Sequence, residues 1–98
     1  MSSRRFYRRT FLNLRGHHAG AYVLADLSVE KHRSKEKTER WINADLRISD
    51  CGDVVVLDFD ASDATSARNA IHKARLLSAT LNQFTTALES AVAELELR

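Results

Sequence analysis

Val54-Val55-Val56-Leu57-Asp58-Phe59-Asp60-Ala61-Ser62-Asp63-Ala64-Thr65-Ser66-Ala67-Arg68-Asn69-Ala70-Ile71 is the stretch that decides the fold, because the hydrophobic period changes inside it. Ahead of Ser62, Val55, Leu57 and Phe59 fall on one face while Val54, Val56, Asp58 and Asp60 fall on the other, the two-residue repeat of a strand. Beyond Asp63, Ala70, Ala74, Leu77, Leu81, Phe84, Leu88, Ala91 and Leu95 recur in alternating steps of four and three, with Ile71 and Val92 widening the stripe. Ser62 and Asp63 are both good helix N-caps. No proline or glycine follows them, so one helix is expected over 63–97, roughly 50 Å long at 1.5 Å per residue.

The alternation extends toward the N-terminus. Ala21, Val23, Ala25, Leu27 and Val29 oppose Tyr22, Leu24, Asp26, Ser28 and Glu30, and Ile42, Ala44, Leu46 and Ile48 oppose Trp41, Asn43, Asp45 and Arg47. A first strand over about Phe6 to Leu14 has an ambiguous phase, with Phe6, Leu12 and Leu14 in one set and Tyr7 and Phe11 in the other. Arg15-Gly16-His17-His18 and Asp50-Cys51-Gly52-Asp53 supply glycine turns, Gly52 being free to take positive φ. Lys31 to Arg40 contains no apolar residue and reads as a solvated, mobile loop. Links this short leave no room for crossovers, so the strands must pair as an antiparallel meander. The expected fold is α+β: a four-stranded antiparallel meander followed by one long C-terminal helix packed on one face. One domain over 1–98 divides into a basic arm (1–5), a sheet (6–61) and the helix (63–97).

Composition narrows the function classes. Of 98 residues, 44% are apolar and 29% charged, ordinary proportions for a globular chain. The longest apolar run, Val54 to Leu57, is far shorter than the roughly 20 residues of a membrane span. Met1-Ser2-Ser3-Arg4-Arg5 lacks the apolar segment of a secretory signal, and one cysteine, Cys51, precludes an internal disulfide; a cytoplasmic setting is expected. Charge is uneven, with eleven Lys or Arg against five Asp or Glu up to Arg47 and four against eight after it. A basic half suits nucleic acid or an acidic protein, or else the acidic half of a second subunit.

With one helix on one sheet face, the opposite face presents Tyr22, Trp41, Asn43 and Arg47, joined by Tyr7, Arg9 and Phe11 if the first strand has that phase. Aromatic rings interleaved with arginines hold single-stranded DNA or RNA by stacking and phosphate contact. Lys31, Arg33, Lys35, Lys37 and Arg40 on the loop, with Arg4, Arg5 and Arg8 on the arm, would lengthen the basic track. Against this, Asp26, Asp45, Asp58 and Asp60 share that face and repel phosphate, which favours a protein partner. The strand order resembles that of the single-stranded-DNA-binding transcriptional coactivators and the plant Whirly proteins, in topology alone. Leu77, Leu81, Phe84, Leu88 and Leu95 form a seam for a second helix, and a homodimer is expected because the helix outruns the roughly 30 Å of a nine-residue strand, the alternative being a kinked or diagonal helix wholly used by its own sheet.

Enzyme signals do not hold. Asp58-Phe59-Asp60 after an apolar strand looks like a haloacid-dehalogenase-type phosphatase motif, yet no chain remains for a doubly wound parallel sheet. Read as a calcium loop, it carries Asp63 where glycine is required and Asn69 where glutamate belongs. His17, His18, His32, His72 and Cys51 lack the paired spacing of a zinc site, and Cys51 has no base beside it in sequence. No enzyme activity, cofactor or metal is expected.

Five local runs are Asn13 with His17-His18, Ala21-Tyr22-Val23, Ile48-Ser49-Asp50-Cys51, Leu57-Asp58-Phe59-Asp60, and Arg68-Asn69 with Lys73. They resemble small proteins of unassigned role encoded by actinobacterial phages, over about residues 11 to 88. The resemblance implies an accessory factor acting by binding inside the host, with a host protein as partner.

Overall fold

The computed structural model describes residues 1–96. Its elements are β1 (Ser2–Phe11), β2 (Tyr22–Arg33), β3 (Thr38–Asp50), β4 (Asp53–Asp58) and α1 (Ala64–Glu94). The strands form one antiparallel sheet in the order β1-β2-β3-β4, the meander that the short links require. Phe59 and Ala61 prolong the β4 path: the Phe59 amide donates to the Ala44 carbonyl, and Ala61 bridges Ile42.

Register assigns each side chain to a face, since residues directly opposite in a ladder point the same way. Leu27 lies opposite Phe6 and Ala44, Ala25 opposite Arg8 and Leu46, and Val23 opposite Thr10 and Ile48, with Val55 and Leu57 completing two of the rows. This inner face carries the apolar alternation read from the sequence. The first strand takes the phase that turns Phe6 inward and Tyr7, Arg9 and Phe11 outward.

Strand lengths depart from expectation at both ends of the sheet. The arm expected over 1–5 is strand instead: Ser2, Ser3 and Arg4 pair with Glu30, Val29 and Ser28, and the register shifts by one residue between Arg4 and Phe6. Every β1 residue is exposed, so backbone bonds to β2 are the main hold on this arginine-rich edge, and no hydrophobic alternation announces it. Leu12 and Leu14, expected in the strand, belong to the link to β2. The loop expected over Lys31 to Arg40 is also mostly strand. Lys31, His32 and Arg33 pair with Arg40, Glu39 and Thr38, leaving a tip of residues 34–37 closed by the Ser34 amide donating to the Lys37 carbonyl at 2.9 Å.

At the opposite end Cys51 (φ 51°) and Gly52 (φ 90°) both adopt positive φ, the mark of a type I′ hairpin turn.

Asp63 caps α1. Its carboxylate accepts from the Ser66 amide at 2.7 Å, and Ser66 Oγ accepts from the Asp63 amide at 3.1 Å, a reciprocal capping box. The helix ends at Glu94, short of the expected 97. Leu95 caps it and Glu96 turns left-handed (φ 55°), its amide bonding back to Ala93. Residue 97 lies outside the described residues.

The first turns of α1 lie over the inner face. Ala64 and Ala67 border a hollow with Val29, Ile42 and Ala61, and Ala74 faces Phe6, Leu27, Leu46 and Phe59 across a groove of about 260 Å³. Lys73 anchors this contact, donating to the Asp58 carbonyl at 2.6 Å with its ammonium 4.9 Å from the Phe59 ring centre. Farther along, Leu81, Phe84, Leu88 and Leu95 are exposed, and the molecule measures 66 × 27 × 20 Å. Its radius of gyration of 18.0 Å far exceeds the roughly 13 Å of a compact chain of this size. Among the described residues only Ala21 and Ala61 are buried apolar residues, so the chain alone closes no core.

Candidate functional site

The outer face is the surface that the sheet leaves free of the helix. Register builds it in rows. Phe11 and Tyr22 begin the row that ends in Ser49 and Val54; Arg9, Leu24, Arg47 and Val56 form the next; Tyr7, Asp26, Asp45 and Asp58 the third. Arg4, Ser28 and Asn43 follow, then Ser2, Glu30 and Trp41. All six expected face residues, Tyr22, Trp41, Asn43, Arg47, Arg9 and Phe11, therefore lie on this side.

They do not form one patch. Phe11 and Tyr22 meet edge to face with ring centres 6.4 Å apart, and the Arg9 guanidinium stands 5.4 Å from the Tyr22 ring centre. The Arg4 guanidinium lies 4.4 Å from the Tyr7 ring centre and reaches Asp26 at 3.6 Å. Trp41 is elsewhere: it sits eight residues along β3 from Ser49, the Tyr22 partner, or roughly 27 Å by strand rise. Between the two aromatic sites runs the band Asp26-Asp45-Asp58, three carboxylates opposite one another on adjacent strands. Glu30 adds to it beside Trp41, where its Oε2 is closed off from solvent with no hydrogen-bond partner.

The basic residues gather at one end of the sheet. Lys31 faces Arg40 across the β2–β3 pair, Arg33 adjoins the tip and Lys37 lies in it, and the Met1 ammonium donates to the Lys31 carbonyl at 2.7 Å. Lys37 also bonds Glu39 at 2.9 Å, and that hydrogen bond and charge hold the Glu39 carboxyl below its usual range. By register Lys31, Arg33 and Arg40 point to the inner face, so the basic cluster and the outer-face aromatics do not share one surface.

One proximity escaped the sequence reading. The link between β1 and β2 folds back so that His18 Nδ1 comes 3.9 Å from Cys51 Sγ, across thirty-three positions of chain. Asn13 Nδ2 donates to the His18 carbonyl and the Gly20 amide to His18 Nδ1, while a Cβ on Gly20 would collide with the His18 ring. The juxtaposition does not activate the thiol. Its strongest influence is Asp50, whose hydrogen bond and negative charge push Cys51 above its ordinary value and disfavour thiolate. Among the described residues no group of three His, Cys, Asp or Glu side chains is arranged to hold a metal ion, and no helix is long and apolar enough to cross a membrane.

The helix seam separates into two parts. Leu77 is half-buried, whereas Leu81, Phe84, Leu88 and Leu95 stand in solvent. Compared with known proteins, the chain matches no family model, no curated sequence and no solved structure.

Proposed function

We propose that the chain is a non-enzymatic binding module that engages a protein partner through its outer sheet face. One observation carries the reading: the ladder register sets an aromatic and arginine corner, exposed Tyr7, Arg9 and Phe11 with half-buried Tyr22, directly against the carboxylate band Asp26-Asp45-Asp58. Tyrosine and arginine are the side chains that dominate protein-binding hot spots, because each offers a large contact area together with polar reach. A surface of both signs matches another protein with its own basic and apolar groups. It suits a polyanion poorly, since strand phosphates crossing from the Phe11–Tyr22 corner to Trp41 meet three carboxylates on the way. The likeness to actinobacterial phage proteins makes that partner a protein of the infected cell, with this chain as an accessory factor.

Single-stranded nucleic acid is the second reading, favoured by the cation–aromatic pairs Arg9–Tyr22 and Arg4–Tyr7 and by the arginine edge of β1. Two measurements separate them. Capture from actinobacterial lysate yields a partner with the parent chain that is lost with Tyr22→Ala or Arg9→Glu and kept with Lys35→Ala. A gel shift with short single-stranded DNA and RNA at two salt concentrations shows no complex. A salt-sensitive shift weakened by Arg47→Glu or Trp41→Ala transfers the assignment to nucleic acid.

A further inference from the structure

The inner face and the far half of α1 are two uncovered surfaces on one chain. Four strands about 4.8 Å apart make a face roughly 19 Å wide, whereas one helix with its side chains is about 10 Å wide. The observed exposures agree: Phe6 on β1 and Val55 on β4, at opposite margins of the inner face, remain 49% and 51% exposed. Beneath Ala74 the groove floored by Ala25, Leu27, Ala44 and Leu46 stays open. Meanwhile Leu81, Phe84, Leu88 and Leu95, farther along α1, are each more than half exposed. Each chain thus lacks a second helical segment over its sheet and carries a spare one.

We infer that the occupant is a second copy of this chain, with the two α1 helices antiparallel and the far half of each lying over the inner sheet face of the other. Charge sets the direction. From Ala64 to Asn82 the charged residues are Arg68, Lys73 and Arg75, all positive; from Gln83 to Glu96 they are Glu89, Glu94 and Glu96, all negative. Parallel helices set like charges side by side, and antiparallel helices bring opposite ones together. Spacing agrees with the charge. About a point between Asn82 and Gln83 the stripe is symmetric: Leu81 pairs with Phe84, Leu77 with Leu88, Ala74 with Ala91 and Ala70 with Leu95. A two-fold axis through that point superposes the seam on itself, as an isologous interface requires. Where the helix approaches its own sheet the stripe begins with Ala70 and Ala74, leaving room in the groove; where it projects, Leu81, Phe84, Leu88 and Leu95 outnumber the one alanine, Ala91.

The surface proposed for self-association is separate from the outer face, so the two assignments fail independently. The test uses the full chain in a Cys51→Ser background. Light scattering at micromolar concentration gives twice the 11.1 kDa chain mass, and Phe84→Glu returns the single mass. Spin labels at Gln83→Cys and Ala93→Cys read the direction by pulsed dipolar distances, at solvent-side positions that leave the seam intact. In the antiparallel arrangement the Gln83 labels are close, and the Ala93 labels are farther apart by about 30 Å of helix rise. Equal short distances at both sites establish a parallel pair and overturn the proposal. So does an 11.1 kDa species at every concentration with a native circular-dichroism spectrum, which leaves the open surfaces to a different partner.

Discussion

At Cys51 the neighbours act in opposite directions. His18 stands within 3.9 Å, the approach that activates a nucleophilic thiol when the imidazole takes its proton. Asp50 acts against it, its hydrogen bond and charge raising the thiol above its ordinary value, and His18 Nδ1 already accepts the Gly20 amide. The thiol is therefore exposed yet sluggish. Alkylation by iodoacetamide at pH 8 should run slower than with a free cysteine and accelerate severalfold in Asp50→Asn. A rate in Asp50→Asn no faster than the parent would show that the carboxylate does not govern this thiol. The sequence held no trace of the His18–Cys51 approach, which depends on Asn13 and Gly20 shaping a link whose path no periodicity encodes. Gly52, by contrast, was legible as a positive-φ turn position, and the structure adds Cys51 to it.

Among the elements, α1 and the central strands were the legible ones, and the reason is burial. Leu27, Leu46 and Phe59 repeat at two residues because one side of their strands faces the helix, and the repeat changes at Asp63 because the chain there begins to hide a stripe. β1 and the β2–β3 hairpin were misread in extent because charged residues form ladders as readily as apolar ones when only the backbone bonds matter, and their side chains leave no pattern.

The helix start has its own pH signature. The Ser66 amide and hydroxyl hold the Asp63 carboxyl below its usual range. A carboxylate depressed in the folded state adds stability above its unfolded value and loses that contribution as pH falls through its folded value. Helicity followed by circular dichroism from pH 6 to pH 2 should fall in the parent, whereas Asp63→Asn, which keeps an N-cap oxygen, should lose less over the same range. Matching acid transitions in the two proteins would place the loss elsewhere.

The sheet gives a prediction of opposite sign. Asp26, Asp45 and Asp58 face one another across three strands, and like charges directly opposite destabilise a ladder. Asp45→Asn removes both repulsions and should raise stability by about 0.5 kcal/mol in urea at low salt, with a smaller gain at 1 M salt. A loss of stability would mean that the band is favourably paired in the isolated chain.

The molecule as a whole is 66 Å long and nearly without a closed core, and this shape connects its two unfilled surfaces. A chain that gains its apolar cover from a second copy binds that copy only when folded, so mass action ties stability to concentration. Each tenfold increase in concentration contributes about 1.4 kcal/mol per dimer, which for a domain of this size raises the thermal midpoint by about 3 °C or more. Calorimetry between 5 and 500 µM should show that rise in the parent chain. Leu88→Ala, which truncates a projecting seam residue and touches nothing in its own sheet, should lower the midpoint at low concentration and regain part of the difference at high concentration. A parent midpoint constant across that range would mean the unfilled groove and the bare helix stripe do not stabilise one another. Tyr22→Ala supplies the control, because it alters the outer face alone: its midpoint should keep the parent's dependence on concentration, separating the surface that joins copies from the surface that meets another protein.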